Sequence, residues 1–204
     1  MLETIRKTIE HYDPKPIGRQ KEFAVFLPLI RIEDTLHVLF EKRSQIVSQP
    51  GETSFPGGAL ENNETYKEAA VRETQEELNL DLDHITVYGE IDYIATQTHI
   101  IHCFVGELVN CPIESIHPNE EVEEIFTIPL TYFFKQKPEV HSVELKIEHK
   151  EDFPFELMSS GTGHKWSNRK QMIPFYRLEN QFLWGFTAQF MQRFIELIEE
   201  QSQS

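Results

Sequence analysis

Glutamates at positions 73, 76 and 77 stand at i, i+3 and i+4 within the run Gly58 to Leu80, GALENNETYKEAAVRETQEELNL. On a helix these three carboxylates fall within an arc of roughly 100°. Like charges so close repel and weaken an isolated helix. A bound cation would offset that repulsion. A hard divalent ion such as Mg²⁺ takes oxygen ligands, and a carboxylate cluster supplies them. The competing reading is an ordinary acidic surface helix with no ligand.

The elements that must position these groups are legible around them. Thr65 followed by Glu68 has the spacing of a capping box, which sets the helix start. Val71, Thr74 and Leu78 lie on another face and are expected to pack on the core, with Ala69 and Ala70 permitting close approach. Asn79 is suited to the left-handed conformation that ends a helix. Phe55-Pro56-Gly57-Gly58 reads as a turn leading into the helix, its glycines allowing close backbone approach.

The ordered pattern resembles the signature of the Nudix hydrolases, Gly-x5-Glu-x7-Arg-Glu-U-x-Glu-Glu-x-Gly-U, where U is a bulky aliphatic residue. Gly58, Glu64, Arg72, Glu73, Glu76 and Glu77 match in order, and Leu80 closes the run. Thr74 stands at the first U, and Asn79 replaces the last glycine. The resemblance implies an α/β (α+β) fold, an α/β/α sandwich around a mixed sheet. It also implies Mg²⁺ or Mn²⁺ held by Glu73, Glu76 and Glu77. Arg72 is then expected to orient a carboxylate, and Glu64 to join the outer metal shell or sit at the helix entrance. The general base is Glu76 or Glu77 within the box, or Glu121 or Glu124 downstream.

Flanking stretches resemble the coenzyme A pyrophosphatase branch of that family. Leu39 to Ser44 and Pro50 to Gly58 follow its lead-in motif, and Leu183 to Ala188 follows its terminal Trp-Gly-x-Thr-Ala. Glu121-Val122 followed by Pro129-Leu130 is a weaker echo. The spacer after Ser44 is one residue shorter than the branch pattern and lacks its arginine; Ser48 or Gln49 stands there instead. Arg43 remains a candidate phosphate contact, because a planar guanidinium suits phosphate oxygens; the alternative is a solvent-exposed charge at a strand end. Phe55, Gly57 and Gly58 complete the candidate substrate-binding set. Trp184 reads as a core anchor for the last helix. Lys165, Arg169 and Lys170 are either a site for a 3′-phosphate or a solvated basic loop.

Composition bounds these readings. The 204 residues suit one domain spanning 1–204, and 15 Phe with 39% hydrophobic residues supply a core. A net charge of −15 opposes binding to nucleic acid or anionic membranes. An anionic substrate therefore needs local cations. Cys103 and Cys111 lack metal-site spacing and read as reduced thiols. The sequence shows no signal peptide or membrane span, so a cytoplasmic protein is the default expectation. A homodimer is the default assembly.

Along the chain, a short helix is expected over 2–11, then a hairpin of strands over 22–32 and 36–41, with Pro28 suggesting an edge or bulge. Residues 43–54 read as a polar loop. After the acidic helix, strands are expected over 85–93 and 100–108, separated by a loop at 94–99. An acidic loop at 117–124 precedes a short strand over 125–128 and a helix from Pro129 to Phe134. Strands over 140–147 and 171–177 flank the poorly patterned stretch 149–170, in which 159–163 suggests a mobile loop. A final helix is expected over 186–200, with a frayed tail at 201–204.

The function expected on these grounds is hydrolysis of a small-molecule diphosphate of the nucleoside-diphosphate-X type. Coenzyme A or its thioesters lead, giving 3′,5′-ADP and 4′-phosphopantetheine. ADP-ribose, a dinucleotide or a modified nucleotide is the enzymatic alternative. A Nudix-fold sensor that binds nucleotide without turnover is the non-enzymatic one; retention of all three box glutamates counts against it.

Overall fold

The computed structural model describes residues 1–167 and 169–202. Helix α1 (Leu2–Glu10) is followed by a hairpin of β1 (Lys21–Ile32) and β2 (Thr35–Arg43), paired from Leu29↔Val38 to Ile32↔Thr35. Two short strands, β3 (Thr53–Ser54) and β4 (Gly57–Ala59), precede α2 (Tyr66–Leu78). Next come β5 (Ile85–Glu90), β6 (Ile94–Ala95), β7 (His99–Leu108), β8 (Val122–Pro129) and α3 (Leu130–Lys135). The chain ends with β9 (Glu139–Leu145), β10 (Arg169–Arg177), β11 (Phe182–Trp184) and α4 (Gly185–Ser202).

The main sheet runs β3-β2-β1-β7-β5, with β4 on β1, β6 on β7 and β8 on β2. Among the described residues only β1 and β7 run parallel, over Lys21↔His99 to Ile30↔Leu108, so the sheet is mixed. A smaller antiparallel sheet holds β11, β10 and β9.

Burial on both faces explains the near-continuous apolar runs of β1, β2 and β7. Successive side chains alternate faces. Ala24, Phe26, Leu39 and Phe104 pack under α2 with Ala69, Ala70 and Leu78. Leu27, Val38, Phe40 and Cys103 face the other way, onto Phe133 of α3 and Ala188, Met191 and Phe194 of α4. Helices thus cover both faces of a mixed sheet, as the expected layering requires.

Helix α2 starts and stops where its sequence specifies. Thr65 Oγ1 accepts from Glu68 N–H at 3.3 Å, and Glu68 Oε2 accepts from Thr65 N–H at 2.8 Å. Asn79 adopts φ 49°, ψ 50°, the left-handed ending. Thr74 is fully buried and satisfies its hydroxyl on the Ala70 carbonyl at 2.7 Å, which lets a polar residue occupy an apolar position.

Several expectations need correction. Pro28 lies in a central strand, not at an edge. Phe26 N–H points to the Pro56 carbonyl on the β4 side. By alternation Pro28 faces the same side, between the β4 pairing (residues 23–25) and the β2 pairing (residues 29–32). The missing N–H thus falls at the change of partner rather than within either ladder. The stretch 43–59 is not only loop and turn, because β3 and β4 form within it. The first strand after α2 ends at Glu90, and the expected loop at 94–99 contains β6 and the start of β7. The acidic loop gives up its last residues to β8, which begins at Val122. Strand β11 was not anticipated, and β10 begins two residues earlier than expected. The stretch 149–170 holds short 3-10 turns at Phe155–Leu157 and Gly161–Gly163, the latter within the expected mobile loop; Asn168 lies outside the described residues. Helix α4 continues through Ser202, so the expected fraying does not begin at 201; Gln203 and Ser204 lie outside the described residues. Helix α1 forms as expected, and none of its residues is buried.

The capping box gives a direct test. Thr65→Ala should lower unfolding stability by about 1 kcal/mol, read as a lower urea midpoint at unchanged m-value.

Candidate active site

The three box glutamates step from interior to solvent. Glu77 is 3% exposed, Glu73 is half-buried, and Glu76 is exposed. Strand β4 explains how Glu77 can be held inside. A Cβ at Gly57 would stand 2.5 Å from the Ala24 carbonyl oxygen, so glycine lets β4 press against β1. Gly57 N–H then donates to Glu77 Oε2 at 2.8 Å. At Gly58 a Cβ would collide with the Glu73 carboxylate, so this glycine opens the space that Glu73 fills.

Arg72 organises the outer side. Its Nε and Nη2 donate to both carboxylate oxygens of Glu64 at 3.1 and 2.9 Å. Nη1 donates to Glu73 Oε1 at 2.9 Å and Glu76 Oε2 at 3.1 Å, and Nη2 also reaches the Ala59 carbonyl. These bonds orient the three carboxylates that Arg72 reaches. They hold Glu64 at the helix entrance, with its carboxyl pKa below the usual range because Arg72 hydrogen-bonds it.

A fourth carboxylate, which the helix spacing could not show, completes the cluster. Glu41 on β2 is 1% exposed. Its Oε1 accepts from Ser54 Oγ at 3.0 Å, while Oε2 is buried without a hydrogen-bond partner. Burial pushes its pKa up to about 7 against the Ser54 bond, which lowers it. Burial, then the Glu41 charge, pushes Glu77 up to about 9. Glu73 is also raised, chiefly by burial and against the pull of Arg72. The signal for Glu41 was present in the sequence. It follows Leu39 by two residues and so falls on the face that β2 buries under α2.

Of the two downstream glutamates, Glu121 belongs to this neighbourhood. Its charge is felt by Glu41 and Glu73. Glu124 instead pairs across from Lys42 on β8 and acts on that lysine. The loop carrying Glu121 is tied to the box helix: Asn119 N–H donates to the Glu77 carbonyl at 2.8 Å, and Asn79 Nδ2 to the His117 carbonyl at 2.7 Å. Asn79 thus ends the helix and braces this loop.

The substrate-side candidates divide. Arg43 is half-buried, not a solvated strand end. Its Nε donates to the Ser48 carbonyl at 2.8 Å, and its charge favours ionised Glu41 and Glu77. Phe55 is a correction: it is 2% exposed and stacked on Phe40 at 5.2 Å, so it supports the β3–β4 turn from the core. Trp184 is another, being 40% exposed rather than a core anchor; Leu183 beside it is the buried residue. Arg169 and Lys170 sit at the β9 end of the smaller sheet, opposite Leu145 and Glu144, several residues up β10 from its pairing with β11.

A divalent ion fits this donor set. Among the described residues, no group of three or more His, Cys, Asp or Glu side chains is already gathered to hold a metal. Even so, buried like-charged carboxylates, one with an orphaned oxygen, are costly without a cation. An all-oxygen set suits Mg²⁺ or Mn²⁺.

Comparison with known proteins follows the same lines. The NUDIX domain family model matches residues 21–147. Nudix hydrolase 3 of Caenorhabditis elegans is 29% identical over 148 residues, 62% of this chain and 60% of that protein. The peroxisomal coenzyme A diphosphatase NUDT7 of Mus musculus is 34% identical over 116 residues, 55% of this chain and 48% of that protein. These alignments span less than two thirds of either relative. A NudL protein of Pectobacterium atrosepticum, named an uncharacterized Nudix hydrolase, is 26% identical over 176 residues, 85% of this chain and 81% of that protein. Among solved structures, a MutT/nudix family protein from Enterococcus faecalis superposes with a TM-score of 0.53 at 13% identity, covering 98% of this chain and 70% of that one, a likeness of fold alone.

The buried carboxylates predict an unusual pH dependence of stability in the metal-free protein. A carboxyl group with a raised folded-state pKa keeps its proton in the fold where the unfolded chain has lost it. Between the ordinary carboxyl value of 4.5 and about 9 the native state therefore binds more protons, and stability falls as pH rises. In EDTA, thermal melts should show a falling Tm across this window, and Glu77→Gln should flatten the fall and raise Tm at pH 8.

Proposed function

The chain belongs to the NUDIX family, and on that premise we propose that it is a metal-dependent hydrolase of a nucleoside diphosphate joined to another moiety, coenzyme A or its thioesters first among them. The observation that carries the reading is the carboxylate cluster of buried, partly unsatisfied Glu41, buried Glu77 and half-buried Glu73, the last held by Arg72. The coenzyme A assignment is supported by the lead-in and Trp-Gly-x-Thr-Ala motifs and by the likeness to the mouse diphosphatase.

Glu73, Glu76 and Glu77 would hold Mg²⁺ or Mn²⁺. When bound, such an ion neutralises diphosphate charge and lowers the pKa of bound water. The protein's own groups do the rest. Gly57 N–H fixes the Glu77 carboxylate, and Arg72 fixes Glu73 and Glu76 while leaving their remaining oxygens available. Glu121 is our choice of general base over Glu124. It is exposed beside the cluster, and its backbone is pinned by the bond from Ser44 N–H. Arg43 supplies the local positive charge that a strongly acidic protein needs to admit an anionic substrate. We take residues 1–204 as one functional unit, because Trp184 and Thr187 bond Glu52 and Thr53 in the loop that leads to the cluster. Among the described residues no helix is long and apolar enough to cross a membrane.

Steady-state hydrolysis of coenzyme A, dephospho-coenzyme A and ADP-ribose with Mg²⁺ or Mn²⁺ tests the assignment. Coenzyme A should exceed ADP-ribose by at least about tenfold in kcat/KM. Loss of the 3′-phosphate should raise KM by about 10- to 150-fold, as expected for a charge-assisted contact of about 1.5–3 kcal/mol. Equal use of coenzyme A and its dephospho form would favour the broader nucleoside-diphosphate reading, ADP-ribose included. Separately, Glu77→Gln should lower turnover by about 10²-fold or more if Glu77 holds the ion. Tight calorimetric binding of these compounds without turnover would point instead to a nucleotide sensor.

A further inference from the structure

A second concavity, of about 310 Å³, opens beside the carboxylate cluster between the loop at Gly51-Glu52 and strands β10 and β11. Its floor is the buried Leu183 and Tyr176. Its walls are Phe175, Phe182 and Trp184. Phe175 and Trp184 lie parallel within 5°, with ring centroids 5.8 Å apart. Phe182 is 75% exposed and Trp184 40% exposed. Three large aromatic rings around one opening, two of them substantially exposed, form a surface that a flat ligand would cover.

One polar side chain faces these rings. Glu52 Oε2 accepts from Trp184 Nε1 at 2.6 Å, which orients both groups and leaves Oε1 as a further acceptor. Among the described residues no cation lines the opening. A phosphate is therefore unsuited to it, whereas a neutral planar ring carrying N–H donors is matched. The position along the chain also fits. Ser54, whose hydroxyl holds Glu41, is two residues from Glu52, about 7 Å of extended chain. The Glu52 carbonyl in turn accepts from Arg43 N–H at 2.9 Å. The loop that bounds the aromatic opening thus also bonds Glu41 and Arg43 at the carboxylate site.

We propose that this opening binds the nucleobase of the substrate, with the base stacked against Trp184 and Phe182 and an exocyclic amino group donating to Glu52. The class selected is an amino-bearing purine, adenine. Hypoxanthine would place a carbonyl oxygen where the carboxylate needs a donor. A site built around a buried or semi-buried acceptor rejects a partner that cannot satisfy it. This inference rests on the diphosphatase reading for its biological meaning, though not for its test.

Calorimetric titration of the full chain with AMP and with IMP provides that test, since neither carries a diphosphate to cleave. AMP should bind about tenfold more tightly than IMP or better. Phe182→Ala should weaken AMP binding by about fivefold or more through lost stacking. Its melting temperature should hold, because the ring is largely exposed. Glu52→Gln should bring the two nucleotides within about twofold, because an amide can donate as well as accept. Equal wild-type affinity for AMP and IMP would overturn the proposal, as would AMP affinity unchanged in Phe182→Ala. Selective AMP binding by a protein that cleaves no diphosphate would uphold the base site and sink the enzymatic reading. Diphosphate cleavage without selective AMP binding would do the reverse.

Discussion

Removing carboxylates from water is the constraint around which this molecule is arranged. Glu41 and Glu77 are almost wholly buried in the seam between β2 and α2, and only a few groups answer them: Ser54, Gly57 N–H and the field of Arg43. Such a seam is tolerable only because the surrounding core is large. Phe26, Phe40, Phe55 and Phe133 are each essentially inaccessible, and burying a side chain of that size contributes roughly 1.5–3 kcal/mol. The apolar sandwich therefore supplies the stability against which an acidic interior can be maintained.

Each departure from regular structure near the seam serves that placement. Pro28 stands where β1 changes partner, and β4 uses the vacated edge to bring Gly57 and Gly58 against the helix. Asn79 closes α2 and braces the loop carrying Glu121. Arg72 spans from Glu64 at the helix entrance to Glu76 a turn beyond it, so the acidic face is held from both ends.

What could be read in the sequence follows from how local each signal is. Helix α2 was legible to its caps, because the capping box, the small-residue face and the left-handed Asn79 all lie within the helix or next to it. The hairpin of β1 and β2 was equally plain from composition. Glu41 escaped because helical spacing cannot relate a strand residue to Glu77; only the strand's own alternation could flag it. Strands β3, β4, β6 and β11 were missed because two or three residues carry too little pattern, and pairing alone defines them. The start of β8 was hidden by Glu123 and Glu124, whose charges suggested a loop. Phe55 and Trp184 exchanged their expected places, since an aromatic residue in a motif does not reveal whether the core or the solvent receives it.

The parallel pairing of β1 with β7 has a kinetic consequence. Lys21 meets His99 only after the hairpin, the box helix and β5 have been made, so the central contact of the sheet is also among its most distant along the chain. Closing so long a segment costs entropy before any contact repays it, and topologies of that kind fold slowly. Glu121 reaches Glu41 and Glu77 by a separate closure of similar length, that of β8 onto β2, in which Arg43 meets Val122. The position of Glu121 therefore depends on long-range closure, whereas the Glu41–Glu77 seam is built from segments that neighbour one another along the chain.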